Sequence, residues 1–100
     1  MAGKEDIMIV EHIAAFSIDG AGGNPAGVVI TDAHPPAAEM QRIAAEVGHP
    51  ETAFAEPKGD GWRVRYFAPE MEVPFCGHAT IALGAALGAR YGARAFALSL

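Results

Sequence analysis

Residues 78–91, HATIALGAALGARY, decide the predicted fold, because this stretch indicates a helix that has almost no polar face. Gly92 follows directly and ends the pattern. The apolar positions around the helix include Ile81, Leu83, Ala85, Ala86 and Leu87. A helix that is apolar on nearly every side is buried in a folded protein. We therefore expect the rest of the chain to form a sheet that wraps around this central helix.

The first third of the chain predicts a hairpin. Residues 7–15 are β-branched and apolar and predict a strand that continues to Phe16, and residues 26–31 predict the returning strand. Between them, residues 19–25 predict a glycine-rich turn that exposes the Asn24 amide. No phosphate-binding loop is indicated, since neither glycine motif of such loops is present and a strand, not a helix, follows.

A second helix is predicted over residues 36–47, with Gly48 closing it. Its apolar residues recur every three or four positions, which is typical of an amphipathic helix. They are Ala37, Met40, Ile43, Ala44 and Val47.

Residues 52–55 and 62–67 predict the strands of a second hairpin, and residues 57–61 predict its turn. Arg63 and Arg65 alternate with apolar residues along the second strand, so we expect them to form a solvated face.

Residues 68–75 then predict a loop, and residues 94–100 predict a final strand. The order of hairpin, helix, hairpin, helix and strand predicts an α+β fold, with a mostly antiparallel sheet wrapped around the central apolar helix.

Composition and charge exclude several classes of protein. The 100 residues are 51% hydrophobic and carry a formal net charge of −5, which is a globular composition with too few basic residues for a nucleic-acid binder. No apolar run approaches the roughly 18 residues of a membrane span, and the acidic N-terminus is unlike a signal peptide. Cys76 is the one cysteine, so no internal disulfide forms. We expect a single domain in the reducing cytoplasm that binds neither nucleic acid nor membrane.

Cys76, Gly77 and His78 form the first candidate site, because they directly precede the apolar helix. A helix N-terminus has unpaired N–H groups and a partial positive charge, so it can bind a substrate carboxylate and lower the pKa of a nearby cysteine. Gly77 would let a ligand approach the backbone. The alternative is structural: Cys76 is a small buried residue and His78 caps the helix. Zinc is not expected, since Cys-x-His alone lacks the second ligand pair of a tetrahedral site.

Glu51 is the second candidate, because it stands where a strand enters an apolar run. A carboxyl group in that position suits general acid/base chemistry. The alternative is an ordinary surface glutamate at the start of a strand.

Several segments, taken in their order and spacing, resemble the N-terminal half of the PhzF-like family, which includes the isomerase of phenazine biosynthesis. The matching segments are AF at 15–16, GGNPAGVV at 22–29, MQRIAAE at 40–46, ETAF at 51–54, RYFAP at 65–69, EVPF at 72–75 and CGHAT at 76–80. Each segment alone is a weak signal, whereas their ordered combination is specific.

This resemblance implies a diaminopimelate-epimerase-like fold, in which two lobes each wrap a sheet around a helix and the active site lies between them. It implies an isomerase that needs no metal or organic cofactor and acts on a small carboxylate-bearing substrate. Glu51 matches the family's catalytic glutamate, which in the phenazine enzyme moves a proton between carbons of a dihydro-hydroxyanthranilate. Gly77 and His78 match its substrate-binding residues, and Asn24 matches the asparagine of its first loop.

Two departures from the family pattern leave alternatives open. Cys76 stands where the phenazine enzyme has a small non-nucleophilic residue and where related racemases and epimerases have a catalytic cysteine, so Cys76 is a possible second base. The acidic residue and the D-x-x-T-G-[ST] stretch of the second lobe have no match. We therefore expect residues 1–100 to be one N-terminal lobe, which alone is inactive or nearly so. A non-catalytic lobe that pairs with a second copy, as a homodimer, or with a separate second lobe is the third hypothesis.

Overall fold

The computed structural model describes residues 10–15, 24–92 and 97–99, and these residues form an α+β fold. The helices are α1 (Ala37–Val47) and α2 (Gly77–Tyr91). The strands are β1 (Val10–Ala15), β2 (Asn24–Ile30), β3 (Glu51–Lys58), β4 (Gly61–Phe67), β5 (Glu72–Val73) and β6 (Leu98–Ser99). The predicted fold class is confirmed. Phe16 and most of the predicted glycine-rich turn lie outside the described residues.

The strands form one mixed sheet in the order β1–β2–β3–β4–β5, and β6 also pairs with β4. The β1–β2, β3–β4 and β4–β5 pairs are antiparallel, as predicted for most of the sheet. The β2–β3 and β4–β6 pairs are parallel. Because α1 crosses over between β2 and β3, both strands begin at the same edge of the sheet. The candidate site lies at this edge.

Helix α1 forms as predicted, and the local signals at its ends explain its bounds. Pro36 occupies the N-cap position, where its missing N–H costs no helical hydrogen bond. Gly48 adopts the left-handed conformation with a φ of 77°, and its N–H donates to the Ala44 carbonyl oxygen at 3.1 Å.

Side chains alternate along the strands, and each face of the sheet covers one helix. The face toward α1 forms a smaller cluster of Val29, Met40, Ile43, Ala44, Phe54 and Phe67. The face toward α2 forms the larger cluster, and its side chains are mostly small. Its buried members are Ala26, Val28, Ala53, Ala55, Val64, Tyr66, Ala79, Ala82, Leu83, Ala86 and Leu87. Small side chains on both surfaces allow α2 to pack closely on the sheet.

Helix α2 is buried along one face only, which corrects the prediction of a fully buried central helix. Its buried residues recur at helical spacing: Ala79, Ala82, Leu83, Ala86 and Leu87. Ile81 keeps 48% of its surface exposed, and Ala85, which was also predicted to be buried, is exposed. The sequence of α2 does not indicate which face contacts the sheet, because apolar residues are distributed on nearly all sides of the helix.

The second hairpin is longer than predicted. β3 continues to Lys58, and the turn consists only of Gly59 and Asp60, with Gly59 at a φ of 58°. Pro57 is accommodated because β2 pairs with β3 only as far as Ala55, so no partner on that side needs an N–H from Pro57. The predicted five-residue turn is therefore wrong.

Two shorter segments also differ from the prediction. The predicted loop contains β5, which pairs with Tyr66 and Phe67 of β4. Of the predicted final strand, the described residues show Leu98–Ser99, which pairs with the start of β4.

Candidate active site

The candidate site forms where the start of β3 meets the N-terminus of α2. Glu51 is the first residue of β3 and lies level with Ala26 of β2. Cys76 is the N-cap of α2, and Gly77 and His78 are its first two residues. Residues 25 positions apart in the sequence thus meet at one edge of the sheet.

The hydroxyl groups of Thr80, which is half-buried, and Tyr66, which is buried, hold the N-terminus of α2 in this place. The Thr80 hydroxyl and the Thr80 N–H both donate to the Cys76 carbonyl oxygen, at 2.8 and 3.0 Å. Tyr66 of β4 lies 2.6 Å from the Thr80 hydroxyl oxygen and, since that hydroxyl already donates, supplies its own proton to it. This chain of contacts ties the first turn of α2 to the centre of the sheet.

The geometry brings together three of the predicted site residues. Glu51 Oε1 lies 3.0 Å from His78 Nε2, with the side chains 21% and 25% exposed. The Cys76 Sγ atom lies 3.6 Å from Nδ1 and 3.7 Å from Nε2 of the same imidazole. Glu51 Oε1 is itself buried, and among the described residues no directed hydrogen bond reaches it. The carboxylate of Glu51 therefore lies beside the imidazole of His78 and still has an oxygen lone pair that can accept a proton.

Burial raises the pKa of the Cys76 thiol, and the neighbouring Glu51 carboxylate adds to the increase. The backbone N–H of Ala79 acts in the opposite direction but does not outweigh burial. The helix N-terminus therefore does act to lower this pKa, as expected, but the net shift is upward. The helix supplies the stabilising N–H groups, but the loss of solvent and the adjacent negative charge favour the neutral thiol.

Gly77 leaves the backbone at the start of α2 open. A Cβ atom built on Gly77 would meet no atom within 4 Å, and the residue is exposed. The first N–H groups of a helix have no backbone partner within the helix. Those of His78 and Ala79 face the Cys76 sulfur, so the Gly77 N–H is the one that is open to an anion here. Carboxylate binding at Gly77 stays a prediction.

Asn24 cannot be placed at the site by its side chain. Its backbone begins β2 and pairs with Ala15 of β1, so the residue lies at the same edge of the sheet as Glu51. Its side chain lies outside the described part of the chain. Its role in substrate binding stays a prediction.

Sequence reasoning missed Tyr66 and Thr80. Thr80 follows Cys76 by four positions, and a threonine hydroxyl in a helix commonly bonds the carbonyl four residues earlier, so a local signal was present. Tyr66 had no such signal, because its contact with Thr80 depends on how α2 packs across β4.

Comparison with known proteins identifies the family. The model of the PhzC-PhzF family, described as phenazine biosynthesis-like protein, matches residues 13–100. The chain belongs to the PhzC-PhzF family. This confirms the resemblance drawn from the ordered sequence segments.

Relatives in this PhzC-PhzF family include proteins named as isomerases. The chain is 50% identical over 74 residues to the uncharacterized isomerase YddE of Escherichia coli K12, covering 73% of this chain and 25% of that protein. It is 49% identical over 77 residues to an uncharacterized isomerase of Deinococcus radiodurans, covering 76% of this chain and 25% of that protein. The chain thus spans about a quarter of the length of these relatives.

Two solved structures, one of them of a PhzC/PhzF protein, share the fold. A phenazine biosynthesis PhzC/PhzF protein from Clostridium difficile matches with a TM-score of 0.86 and 32% identity, over 92% of this chain and 36% of that one. A predicted epimerase from Pseudomonas aeruginosa matches with a TM-score of 0.85 and 26% identity, over 91% of this chain and 34% of that one.

Within the described residues, neither helix is long and apolar enough to cross a membrane.

Proposed function

We propose that this chain is the N-terminal lobe of a cofactor-independent isomerase that moves a proton between carbon atoms of a small carboxylate-bearing substrate. The observation that carries the proposal is the contact of Glu51 Oε1 with His78 Nε2 at 3.0 Å, beside the open backbone of Gly77. The relatives that are named isomerases support the same class of reaction.

In this proposal Glu51 is the general acid/base. A carboxylate oxygen takes a proton from one carbon of the substrate, and the electron pair of the broken C–H bond moves into the adjacent unsaturated system. The same carboxyl group then returns the proton to another carbon, so the composition of the substrate is unchanged. Proton transfer by a positioned side chain contributes roughly 10²–10⁴-fold to such a rate.

His78 and Gly77 hold the reactants in place. The imidazole of His78 keeps the Glu51 carboxylate in one orientation, and the Gly77 N–H at the start of α2 binds the substrate carboxylate. Anchoring that carboxylate fixes the distance between the reacting carbon and Glu51, which is the larger part of what one lobe can contribute. The second wall, which excludes water, would come from a part of the protein that corresponds to the remaining length of the relatives.

A racemase or epimerase with Cys76 as a base is the second candidate. Its support is that Cys76 Sγ lies within 3.7 Å of both His78 nitrogen atoms, at the same site as Glu51. The raised pKa of the thiol argues against Cys76 as the group that accepts a proton. Glu51 is therefore the preferred base.

A non-catalytic lobe that pairs with a second copy or a second lobe is the third candidate. The observation that favours it is the exposed side of α2, where Ile81 is 48% exposed. This hypothesis does not explain why Glu51, Cys76 and His78 converge.

A comparison of two variants separates the catalytic candidates. We would place this chain in a chimera, in which it replaces the matching segment of the E. coli relative, and offer it a dihydro-hydroxyanthranilate and other small unsaturated carboxylates in deuterated water. Mass spectrometry then measures deuterium uptake into the substrate. Glu51→Gln should abolish uptake, and Cys76→Ser should retain most of it. The reverse pattern would establish the Cys76 mechanism and refute ours.

A further inference from the structure

The peptide group that joins Cys76 to Gly77 carries the N–H that the proposed function assigns to a substrate carboxylate. The N–H groups of the next two residues, His78 and Ala79, face the Cys76 sulfur instead. In a trans peptide group the N–H and the carbonyl lie in one plane and point in opposite directions. The contacts that fix the Cys76 carbonyl oxygen therefore also fix the direction of the Gly77 N–H.

Two hydrogen bonds from Thr80 hold the Cys76 carbonyl oxygen. The Thr80 N–H donates at 3.0 Å, which is the ordinary bond within α2, and the Thr80 hydroxyl donates at 2.8 Å. The second bond comes from a side chain and is additional to the helical pattern. Because both lone pairs of this carbonyl oxygen are used and the carbonyl points into α2, the Gly77 N–H points outward from the first turn.

Tyr66 connects these hydrogen bonds to the sheet. Its hydroxyl oxygen lies 2.6 Å from Thr80 Oγ1 and donates to it, since the Thr80 hydroxyl proton is already used by the Cys76 carbonyl oxygen. The Tyr66 ring also packs against the Phe75 ring, with the centroids 5.8 Å apart. Tyr66 is buried and therefore contacts residues on both sides of the peptide group between Cys76 and Gly77 from a fixed position.

We propose that Thr80 and Tyr66 are positioning residues for the substrate carboxylate, an inference that rests on the proposed function. Both act through the peptide group between Cys76 and Gly77 and do not touch the substrate. Their hydrogen bonds keep the Gly77 N–H in one direction before the anion arrives, so binding requires no reorganisation. Hydrogen bonds in a chain also polarise one another, which makes this N–H a stronger donor. Thr80 and Tyr66 thus determine the affinity for the carboxylate, whereas Glu51 determines the rate of proton transfer.

The amide signal of Gly77 in an NMR spectrum measures this effect directly. We would label the glycine residues of the chimera with ¹⁵N and titrate it with acetate, the probe for a carboxylate, and with acetamide, its neutral match. The Gly77 signal is the one that Gly77→Ala removes. We expect acetate to move this signal to lower field until it saturates, and acetamide to leave it in place. A Gly77 signal that acetate does not move would overturn the proposal.

Thr80→Val tests the hydroxyl that holds the carbonyl oxygen, because valine keeps the shape of the side chain but has no donor. It should weaken acetate binding at Gly77 roughly two- to tenfold, which corresponds to about one hydrogen bond. Thr80→Ser should restore the affinity. The matched control is Thr31→Val, since the Thr31 hydroxyl donates to the Ala33 carbonyl oxygen at 2.8 Å, beyond the other end of β2. Unchanged affinity in Thr80→Val, or equal weakening in the control, would contradict the proposal.

Tyr66→Phe separates positioning from a general loss of stability. It should weaken acetate binding less than Thr80→Val does, because Tyr66 acts through the Thr80 hydroxyl. For the same reason the double variant should bind acetate no more weakly than Thr80→Val alone. Independent effects would instead add, so additive losses in the double variant would refute the assignment of Tyr66.

Deuterium uptake by the same chimera distinguishes failure of this proposal from failure of the proposed function. Thr80→Val should raise the KM and change kcat little, since it leaves Glu51 in place. A Gly77 signal that responds to acetate, without any uptake of deuterium, refutes the isomerase and keeps the positioning role. Uptake of deuterium by a chimera whose Gly77 signal ignores acetate refutes the positioning role and keeps the isomerase.

Discussion

A substitution at Gly77 is expected to affect the stability of the fold and the affinity for a carboxylate in different ways. No atom lies within 4 Å of the position a Cβ would take, and Gly77 does not need a left-handed conformation. Gly77→Ala should therefore keep or raise the free energy of unfolding, by up to about 1 kcal/mol, because alanine restricts the unfolded chain. The added methyl group should nevertheless weaken the approach of a carboxylate to the helix N-terminus. Urea unfolding and substrate affinity in the chimera measure the two effects, and a destabilised chain would show that Gly77 is structural.

Tyr66 is expected to make the stability of the chain depend on alkaline pH. Burial raises the pKa of the Tyr66 hydroxyl, with Thr80 as its hydrogen-bond partner. Since the folded pKa exceeds that of the unfolded chain, about 10, this contribution is complete below pH 10 and declines as the pH rises toward the folded value.

Tyr66→Phe tests this dependence. The variant should lose about 1 kcal/mol at neutral pH, because one hydrogen bond is removed, and should lose less further stability than the wild type above pH 10. Urea unfolding between pH 8 and pH 11 measures both. Identical alkaline slopes for the two proteins would contradict the assignment.

At the scale of the elements, Gly27 determines how closely β2 lies against β3 and α1. A Cβ atom on Gly27 would lie 2.9 Å from Thr52 Oγ1 and 3.2 Å from Val47 Cγ1. Thr52 is fully buried, so its side chain has little room to move. Gly27→Ala should destabilise the chain by about 1–3 kcal/mol through overpacking.

Gly84→Ala is the matched control for this prediction. Gly84 lies on the exposed side of α2, and a Cβ there would meet nothing within 4 Å. Alanine in a helix is favoured over glycine by about 1 kcal/mol, so this variant should be more stable than the wild type. Thermal unfolding of the two variants should shift in opposite directions. A shift to higher temperature for Gly27→Ala would contradict the packing described here.

The elements also show what could be predicted from the sequence. Helix α1 and the β1–β2 and β3–β4 hairpins follow from local patterns: apolar spacing, Gly48 at a helix end, and alternation along β4. The parallel pairing of β2 with β3 and the exposed face of α2 do not follow from local patterns, because both depend on contacts between distant segments. The sequence also predicts Glu51 and His78 as separate site residues. Their contact at 3.0 Å depends on the fold, since the two residues lie far apart in the sequence.

At the scale of the whole molecule, the exposed side of α2 is the surface through which the lobe would pair with a second copy or a second lobe. Ile81 is 48% exposed, and a lobe that pairs through this face would bury it. Ile81→Gln should leave the free energy of unfolding of the chain within about 0.5 kcal/mol, as for most surface substitutions. It should weaken self-association, which sedimentation velocity over a range of concentrations measures. A wild-type chain that stays monomeric throughout would contradict pairing between copies.

The chain spans about a quarter of the length of its named relatives, and in the proposed function it contributes one side of a site. In that proposal Glu51, His78 and Gly77 supply the acid/base and the carboxylate anchor, and a second wall has to exclude water before proton transfer becomes efficient. We therefore expect deuterium uptake from the chimera at a much higher rate than from the 100-residue chain alone. Equal rates would show that one lobe is sufficient.

The central claim is that Glu51 carries the proton, and the rate of solvent deuterium uptake in Glu51→Gln tests it most directly. Glutamine keeps the size of the side chain but cannot accept a proton. The control for the loss of one negative charge is Glu46→Gln, because Glu46 is an exposed glutamate on α1. We predict that Glu51→Gln lowers the rate at saturating substrate by at least about 10²-fold, with little change in the affinity for the carboxylate, while Glu46→Gln matches the wild type. An unchanged rate in Glu51→Gln would contradict the account.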